Sequence, residues 1–474
     1  MRVLYVAGEC TPFASSGGLG EVIGSLPREI KRAGKSIEVS VILPYYKSIS
    51  EKYKSKMKKV CDITFNLSWR KTGASIYVIS VGGVSYYFVE NHRYFNRGRL
   101  YGENDDGERF AFFSLAVLNF ITETNKIPDI LHANDWHSAL CVIYLKTLYK
   151  NHPELSGIKT VYTIHNIEYQ GKFGIETLSD VFGLDRSHKN YVEFDGVINL
   201  MKGAISLSDY ISTVSPNYKD ELRYDFFAFG LAPIINSVSH KMCGIINGID
   251  YSYFSPENDT DIYFPYSKEE ATEGKKKNKM ALQREFALKV SENTPMICIV
   301  SRLTATKGMD LILHIIEEIL KLDVQIVVLG TGEEEYEKEF IRLSYKYGNM
   351  VSIIKFDRSL SKKIYAASDI FLMPSKSEPC GLSQMVACSY GAIPVVRSVG
   401  GLYDTITNWN ERDGNGFRFD NYNAHELLYT VKTAISIYNT EEWEKLKRNA
   451  MNTKFEWSDS ARKYIAIYKN LLSW

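Results

Sequence analysis

The chain has 474 residues, and its 57 Lys and Arg residues balance 56 Asp and Glu residues to a formal net charge of +1. Hydrophobic residues make up 45% of the chain and charged residues 24%, which is typical of globular proteins and excludes a mainly disordered chain. The balanced charge gives no support to nucleic-acid binding or to a polybasic membrane contact. No stretch approaches the ~20 apolar residues of a bilayer helix. We therefore expect neither a nucleic-acid nor a membrane partner.

The cysteines point to a reducing environment. All seven are scattered along the chain, and no Cys-x-x-Cys pair occurs. An odd, unpaired set of this kind predicts a reducing compartment and no disulfide framework. The apolar run at the N-terminus, residues 3–7, is too short for a signal peptide and favours a buried first strand. We therefore expect a cytoplasmic protein.

Short β-rich apolar runs alternate with helix-length amphipathic segments through the first half of the chain. This alternation is typical of βαβ units around a largely parallel sheet. The Gly82-Gly83 pair favours a local hairpin between the strands on either side of it. The predicted strands are Val3–Ala7, Glu38–Leu43, Ser75–Ser80, Ser85–Val89, Ile130–Ala133, Thr160–Ile164 and Tyr210–Val214, and the predicted helices are Val22–Lys31, Arg109–Thr124 and Ala139–Leu148.

The same alternation starts again after a polar segment, Asp250–Lys279, which we interpret as the boundary between two domains. Basic residues cluster at Lys275–Lys279 and at Lys54–Lys59, and we interpret both clusters as solvated loops or helix faces. The predicted elements of the second half are the strands Met296–Val300, Gln325–Leu329, Val351–Phe356, Ile370–Met373 and Ile393–Val396, with the helices Met309–Leu320 and Glu333–Tyr345.

The sequence thus predicts an α/β protein with two doubly wound, Rossmann-like domains that face a central cleft. We place the first domain at residues 1–252 and the second at residues 253–457. An amphipathic helix within residues 458–474 follows, and we expect it to cross back and pack on the first domain. Ligands of such sheets bind at the carboxyl ends of the strands, so the residues there are the candidates for a site.

A glycine-rich loop, Ser15–Gly20, follows the first predicted strand and opens a helix. Glycines at such a place let backbone amides approach a ligand, and a helix N-terminus favours anions. A tight turn with no ligand also explains these glycines. The loop lacks the GxGxxG spacing and no acidic residue ends the second strand, so a nicotinamide-binding domain is disfavoured.

Polar side chains gather after two later parallel strands. The segment His132–His137 ends one of them, and His165 with Asn166 ends the other. Asn134 or Asp135 can serve simply as a helix N-cap, and a single histidine is as often structural as functional. Two such clusters at adjacent strand ends favour a site. The histidine spacing and the lack of a thiolate pair give a zinc site little support.

In the second domain, Arg302 and Lys307 follow the first strand, five residues apart. A planar guanidinium and a compact ammonium suit a diphosphate, although a solvated basic loop is the alternative. Glu378 lies at a constrained turn after a later strand, and the segment Gly381–Ser383 opens a helix whose free N–H groups can hold phosphate. Cys380 has no histidine nearby in the sequence that would activate it as a nucleophile.

Two smaller motifs lie in the second half of the chain. Gly400-Gly401 adds a flexible loop at the strand ends of the second domain. The one Asp-x-Asp pattern, Asp259-Thr260-Asp261, lies in the polar boundary segment and does not follow a strand, so we interpret it as a loop and not as a metal–nucleotide site. No motif indicates an oligomeric state.

Taken together, these motifs resemble those of bacterial glycogen synthases and plant starch synthases, glycosyltransferase family five. The resemblance implies the GT-B fold and a retaining transfer of glucose from ADP-glucose to the non-reducing 4-hydroxyl of an α-1,4-glucan, with release of ADP. It also implies that no metal or other cofactor is needed. The segments that carry it, in family order, are Gly17–Leu19, His132–His137, Tyr162–Asn166, Thr213–Pro216, Ile246–Asp250, Ser301–Gly308, Glu378–Leu382 and Gly400–Leu402.

Carried over position by position, the resemblance implies a role for each candidate residue. Arg302 and Lys307 correspond to the clamp on the departing ADP, where fixed cations lower the barrier. His165 corresponds to the residue that contacts the donor glucose, Glu378 to the carboxylate beside that sugar, and Asp135 to a supporting polar residue. The implied donor-binding set is Ser15, Gly17, Gly18, Asn247, Gly381, Leu382, Ser383, Gly400 and Gly401.

Several positions depart from the family pattern. Ser15 stands where the family has a lysine that reaches the donor, so one cation is missing. Glu21 replaces an aspartate, Val399 replaces a threonine, and Val386 replaces a frequent aromatic residue. Two alternatives therefore stay open, namely UDP-glucose as the preferred donor and a non-catalytic glucan-binding paralogue. The retained cations and Glu378 favour the enzyme.

Overall fold

The computed structural model describes residues 1–473. These divide into two compact units: the first unit is Met1–Asn247 with the C-terminal segment from Trp457 onward, and the second unit is Gly248–Glu456. The N-terminal end of the second unit lies a few residues before the predicted boundary at residue 253. The reason is a backbone hydrogen bond of 3.0 Å from Ile249 to Phe455, which holds this segment within the second unit.

The first unit is built on a mostly parallel sheet. Its strands are β1 (Arg2–Val6), β2 (Glu38–Pro44), β3 (Lys58–Leu67), β4 (Arg70–Val81), β5 (Val84–Glu90), β6 (Ile130–Asn134), β7 (Lys159–Ile164), β11 (Tyr210–Thr213) and β12 (Met242–Gly244). A separate small antiparallel sheet, which lies between β7 and β11 in the chain, consists of β8 (Lys172–Phe173), β9 (Glu193–Phe194) and β10 (Val197–Asn199). The strand order is β12–β11–β7–β6–β1–β2–β5–β4–β3. The central strands are buried on both faces, which explains their nearly continuous apolar runs.

Helices surround this sheet. They are α1 (Gly18–Ala33), α2 (Glu51–Lys54), α3 (His92–Phe95), α4 (Asp106–Thr124), α5 (Trp136–Lys146), α6 (Thr177–Asp180), α7 (Lys189–Val192), α8 (Leu200–Leu207), α9 (Pro216–Glu221), α10 (Asp225–Ala228) and α11 (Ala232–Ser237). Every strand and helix predicted for this half occurs, with ends shifted by a few residues. The prediction missed both edge strands of the sheet, β3 and β12, and the short strands β8, β9 and β10. Apolar and polar residues alternate along β3, so no continuous apolar run marks it, and the other four strands have only two or three residues each.

The predicted hairpin is confirmed. Strands β4 and β5 pair antiparallel, with Val81 opposite Val84. The two glycines between them have φ angles of 59° at Gly82 and 79° at Gly83. Positive φ at both central positions is the requirement of the type I′ turn, which matches the twist of a two-residue hairpin, and glycine meets it without a steric penalty.

The second unit has a fully parallel sheet in the order β15–β14–β13–β16–β17–β18, where the strands are β13 (Met296–Val300), β14 (Gln325–Leu329), β15 (Met350–Ile353), β16 (Ile370–Met373), β17 (Ile393–Arg397) and β18 (Phe417–Phe419). Its helices are α12 (Ala271–Glu285), α13 (Met309–Leu320), α14 (Glu334–Lys346), α15 (Arg358–Ala367), α16 (Ser383–Ser389), α17 (Gly400–Thr405), α18 (Ala424–Ser436) and α19 (Glu441–Asn452). The predicted elements of this half are all present. Both units are therefore doubly wound, as predicted.

The interpretation of Lys275–Lys279 as a solvated cluster is wrong for two of its lysines. Helix α12 packs against α15, and Lys275 and Lys279 lie on its buried face. The ammonium of Lys275 donates to carbonyl oxygens at the end of α15 and at Tyr390, and Lys279 pairs with Asp369 at 2.6 Å. Burial lowers the pKa of Lys275 to about 7. Because carbonyl and carboxylate oxygens replace water around these cations, the polar sequence of α12 does not signal exposure.

The Asp-x-Asp motif lies in a loop, as predicted. The carboxylates of Asp259 and Asp261 lie 3.3 and 3.1 Å from the ammonium of Lys362. Asp259 also accepts a hydrogen bond from the hydroxyl of Tyr390. The two carboxylates thus fasten the loop that precedes α12 to the body of the second unit.

The C-terminal helix α20 (Trp457–Leu471) packs on α1 of the first unit, which confirms the predicted return of the chain. Near its start, the hydroxyl of Ser460 donates to the carbonyl of Ile246 at 2.5 Å. Near its end, Tyr468 is fully buried against the sheet. The helix therefore completes the apolar cover on one face of the first unit.

A buried chain of hydrogen bonds joins α20 to strands β1, β6, β7 and β11. Its links are Tyr5–Tyr468 (2.6 Å), Tyr468–His132 (2.7 Å), His132–Thr163 (2.5 Å), Thr163–Ser212 (2.6 Å) and Ser212–Tyr464 (3.3 Å). Tyr464 and Tyr468 are one turn apart on α20, so the series of hydrogen bonds that starts at Tyr468 ends on the same helix. Each of these polar groups is satisfied inside the core, where an unpaired partner is costly.

Replacing Tyr468 with Phe removes the hydroxyl that bridges Tyr5 and His132 and leaves a ring nitrogen of His132 unpaired in the core. We expect the free energy of unfolding to fall by about 1–3 kcal/mol. Urea denaturation followed by circular dichroism measures this change. Tyr345→Phe is the matched control, because Tyr345 is 89% exposed. Equal loss of stability in the two variants contradicts the role assigned to the buried chain.

Candidate active site

Glu9 lies just after β1 and holds the glycine-rich loop in place. Its buried carboxylate accepts the backbone N–H of Ser16 at 2.5 Å and of Gly20 at 3.1 Å, and the hydroxyl of Ser16 at 2.8 Å. Burial raises the pKa of Glu9, although these three donors act in the lowering direction. No motif marks Glu9 in the sequence; the one signal for it is an acidic residue three positions after a buried strand.

The loop that Glu9 holds leaves two glycines open. A Cβ atom built on Gly17 or Gly18 meets no other atom within 4 Å, whereas one on Gly20 overlaps the side chain of Ser15. Packing therefore requires glycine at position 20 but not at positions 17 and 18, whose exposed backbone is accessible to a ligand. The hydroxyl of Ser15 lies 3.3 Å from the carbonyl of Gly17 and supports the same turn.

Asp135 ends the β6 segment in a rare backbone conformation, with φ at 53°. Positive φ is uncommon for residues other than glycine and often marks functional sites. The carboxylate accepts the backbone N–H of His165 at 2.8 Å. Burial raises the pKa of Asp135 to about 7, against the lowering effect of the N–H groups of His165 and Asn166. Asp135 thus ties the end of β6 to the loop after β7.

Asn134 fixes the ring of His165. The amide nitrogen of Asn134 donates to the carbonyls of Val6 at 3.2 Å and His132 at 3.0 Å, so its oxygen faces His165 Nε2 at 2.9 Å. Burial lowers the pKa of His165 to about 3, so the ring is neutral at physiological pH. An acceptor opposite Nε2 means that Nε2 carries the proton and that Nδ1 is an acceptor. The sequence prediction named Asn134 only within the polar cluster and missed this role.

The structure therefore brings together the glycine loop, Asp135 and His165, because β1, β6 and β7 are adjacent parallel strands. Asn247 is the remaining candidate of the first unit. It is buried and follows β12, beyond β11 at the edge of the same sheet. Among the hydrogen bonds described for residues 1–473, none joins Asn247 to Asp135 or His165, so its role stays a prediction.

In the second unit, Lys307 and Glu378 form an ion pair that joins the loops after β13 and β16. The hydroxyl of Ser375 donates to the same carboxylate oxygen of Glu378 at 3.0 Å. Glu378 is buried, whereas the side chain of Arg302 on the first of these loops is exposed. A buried carboxylate held by two donors has a fixed position, and the exposed guanidinium is available to a ligand.

Gly400 and Gly401 pack directly on the turn that carries Glu378. The backbone N–H of Gly401 donates to the carbonyl of Glu378 at 3.1 Å. A Cβ atom on Gly400 would overlap that carbonyl, and one on Gly401 would overlap the carbonyl of Cys380. Close packing alone thus explains both glycines, and their predicted contact with the donor stays a prediction.

The segment after Glu378 opens α16, as predicted. Gly381 has a φ of 72°, and Leu382 is the N-cap residue of the helix. The hydroxyl of Ser383 hydrogen-bonds the buried Tyr365, so this side chain is engaged within the second unit. The contact of Gly381, Leu382 and Ser383 with the donor stays a prediction.

Two kinds of feature are absent from residues 1–473. No group of three or more His, Cys, Asp and Glu side chains there is arranged to hold a metal ion. Over the same residues, no helix combines the length and the apolar character that a membrane span requires.

Family models cover both units. Residues 2–237 match the model described as starch synthase catalytic domain, and residues 283–453 match that of glycosyl transferases group 1. Among curated proteins, the chain is 45% identical over 477 residues to the glycogen synthase of Alkaliphilus metalliredigens, covering 99% of this chain and 100% of that one. It is 44% identical over 478 residues to the glycogen synthase of Bacillus cereus, covering 100% of both chains.

Solved structures are similar over the full length as well. The catalytic domain of starch synthase IV from Arabidopsis thaliana, bound to ADP and acarbose, superposes with a TM-score of 0.92 at 31% identity, covering 100% of this chain and 99% of that one. The sucrose-phosphate synthase of Thermosynechococcus elongatus has a TM-score of 0.63 at 15% identity over 100% of this chain and 99% of that one, which shows likeness of fold alone.

Three buried histidines predict a pH-dependent stability. Burial lowers the pKa of His132, His137 and His165 to about 3 from 6.5, so below pH 6.5 the unfolded chain binds protons that the folded chain does not. Asp135 and Glu9, whose pKa values are raised, act in the opposite direction, but with two groups against three. We expect the melting temperature to fall as the pH is lowered from about 7 to about 5.

Differential scanning calorimetry at several pH values measures this fall. In His132→Gln one of the three titrating groups is gone, so its melting temperature should fall less over the same range than that of the wild type. Equal slopes in the two proteins contradict the assignment to His132.

Proposed function

The chain belongs to the family of glycogen and starch synthases, and we propose that it lengthens an α-1,4-glucan with glucose taken from ADP-glucose. It is a glucosyltransferase with the GT-B fold. The observation that carries the proposed chemistry is the second unit's Lys307–Glu378 pair beside the exposed Arg302, at the carboxyl ends of adjacent strands. The transfer retains the configuration of the sugar and releases ADP.

The leaving group needs positive charge as the glycosidic bond breaks. We assign this work to Arg302 and Lys307, whose cations stabilise the charge that grows on the diphosphate. A fixed cation is more effective than a mobile one because it needs no reorganisation during the reaction, and Glu378 together with Ser375 fixes Lys307 in this way. Since two side chains supply the charge, we propose that the transfer needs no metal ion or other cofactor.

His165 is the residue of the first unit that we assign to the donor glucose. Its neutral ring offers Nδ1 as an acceptor, which suits a sugar hydroxyl, and Asn134 holds the ring orientation. Asp135 keeps the His165 backbone in place. The open backbone of Gly17 and Gly18 is assigned to the donor's phosphate or sugar.

We further propose that the enzyme acts in the cytoplasm on a nucleotide sugar and a glucan, without a nucleic-acid or membrane partner. All seven cysteines are free, as a reducing compartment favours. The balanced net charge of +1 gives no attraction to a polyanion.

The test is incorporation of labelled glucose into glycogen from ADP-glucose and from UDP-glucose, with EDTA in every reaction. We expect turnover with ADP-glucose to exceed that with UDP-glucose, and EDTA to leave it unchanged. Glu378→Gln, which keeps the size of the side chain but removes the negative charge that pairs with Lys307, should lower kcat by roughly 10²–10³, as for other lost electrostatic groups. Glu51→Gln is the control, because the side chain of Glu51 is 87% exposed.

Each contrary result identifies an alternative. Faster transfer from UDP-glucose than from ADP-glucose identifies UDP-glucose as the preferred donor. No incorporation from either donor indicates a glucan-binding paralogue without catalysis. Full activity in Glu378→Gln removes this carboxylate from the mechanism.

Ser15→Lys tests the missing cation of the glycine loop. A lysine at this position can reach the donor phosphate, and a charge-assisted contact of this kind predicts a KM for ADP-glucose about tenfold lower or more. Initial rates at fixed ionic strength give KM and kcat. Tyr429→Lys, at a residue that is 74% exposed on the second unit, adds the same charge elsewhere. An unchanged or higher KM in Ser15→Lys contradicts the missing-cation account.

A further inference from the structure

Four large aromatic side chains of the first unit are exposed, three of them between residues 224 and 229 and the fourth at residue 169. We call them the aromatic patch: Tyr169 (51% exposed), Tyr224 (69%), Phe226 (62%) and Phe229 (43%). Scattered exposed hydrophobic residues need no explanation, but a group of this kind on a folded protein indicates a binding surface. None of the four has a role in the chemistry assigned above.

Two hydrogen bonds connect the two segments of the aromatic patch. The backbone N–H of Ile167 donates to the hydroxyl of Tyr218 at 3.2 Å, and the side-chain amide of Gln170 donates to the carbonyl of Phe229 at 3.2 Å. The first segment begins at His165, after β7, and the second follows the neighbouring strand β11. The aromatic patch therefore borders the candidate site at the same edge of the sheet.

The aromatic patch is held in a defined shape. Gln170 is buried, and its side-chain oxygen accepts a hydrogen bond from the amide of Asn199 at 2.7 Å. This bond fixes the orientation of the Gln170 amide group, whose nitrogen donates to Phe229. Phe229 has a φ of 47°, a left-handed conformation that is costly for a bulky residue, and Gly230 continues the bend with a φ of 90°. Strain of this kind persists where the surrounding structure enforces it and often accompanies function.

The composition of the aromatic patch indicates the chemistry of its ligand. The charged residues next to its rings in the chain are Glu168, Arg223 and Asp225, which include both signs. Such a surface has no cluster of cations that would select an anion. It suits a neutral molecule that has flat apolar faces edged by hydroxyl groups, and a glucose ring has C–H groups on its faces and hydroxyls around its rim. Tyrosine rings add a hydroxyl that can bond those edges.

We propose that the aromatic patch binds the acceptor glucan, with its rings stacked on glucose units of the chain being lengthened. This inference rests on the proposed function, since it assigns the acceptor to one side of the His165 loop. Stacking between an aromatic ring and a glucose unit does not require one exact position of the sugar. A surface of several rings therefore suits a polymer that must advance by one glucose unit after each transfer.

The experiment compares wild type with the double variant Tyr224→Ala/Phe226→Ala, using glycogen and ADP-glucose. We expect the half-saturating glycogen concentration to rise about tenfold, the loss expected for two ring contacts. The KM for ADP-glucose and the kcat at saturating glycogen should stay unchanged. The conservative pair Tyr224→Phe/Phe226→Tyr keeps both rings and should retain most of the affinity for glycogen.

A matched control removes two exposed rings elsewhere. Tyr345→Ala/Tyr429→Ala acts on residues that are 89% and 74% exposed on the second unit, and it should leave the glycogen requirement unchanged. Migration in native gels cast with glycogen gives a second readout that does not depend on turnover. Retardation by glycogen should weaken only in the aromatic-patch variant. The melting temperatures of both variants verify that they are folded.

Several results would overturn the inference. An unchanged half-saturating glycogen concentration and unchanged retardation mean that the rings do not touch the acceptor. A lower mass of Tyr224→Ala/Phe226→Ala in light scattering, with glycogen affinity intact, assigns the surface to a second copy of the chain. If the wild type transfers no glucose but its retardation by glycogen depends on these rings, the proposed function fails and the glucan-binding surface stands.

Discussion

The buried hydrogen-bond chain through His132 is the interaction on which the first unit's site depends. It joins the C-terminal helix to four strands, and both ring nitrogens of His132 are engaged. His132 lies two residues before Asn134 on β6, and Thr163 lies two residues before His165 on β7. A shift of either strand would therefore move the amide and the ring that face each other at the site. The last segment of the sequence thus helps to position residues far from it in the chain.

In the second unit, an ion pair positions the residues of the site, whereas neutral hydrogen bonds do so in the first unit. Its ion pair between Lys307 and Glu378 joins the loops after two neighbouring strands, and Ser375 and Gly401 fasten the turn from either side. A buried pair of opposite charges is costly to break, because removing one partner leaves the other uncompensated. The electrostatics that we assign to catalysis therefore also hold the loops in place.

The secondary structure could be predicted well, because parallel strands buried on both faces appear in the sequence as short apolar runs between amphipathic helices. The candidate residues at the strand ends could be predicted for the same reason, since parallel strands deliver their carboxyl ends to one edge. The failures have physical causes. The prediction of solvent exposure is wrong for Lys275 and Lys279, because a sequence does not reveal the carbonyl and carboxylate oxygens that bind their ammonium groups in the core. No motif marks Glu9 or Asn134, because their importance lies in the groups that they hold in place.

The class of fold, the order of the elements, the family resemblance and the set of residues at the strand ends can all be predicted from the amino-acid sequence, because these depend on local pattern and spacing. The folded structure was needed to show which side chains meet: that Glu378 pairs with Lys307, that Asn134 sets the proton of His165, and that Gly400 and Gly401 are required by close packing. Such contacts join positions distant in the chain, and their geometry follows from strand order and loop conformation, which no local pattern encodes.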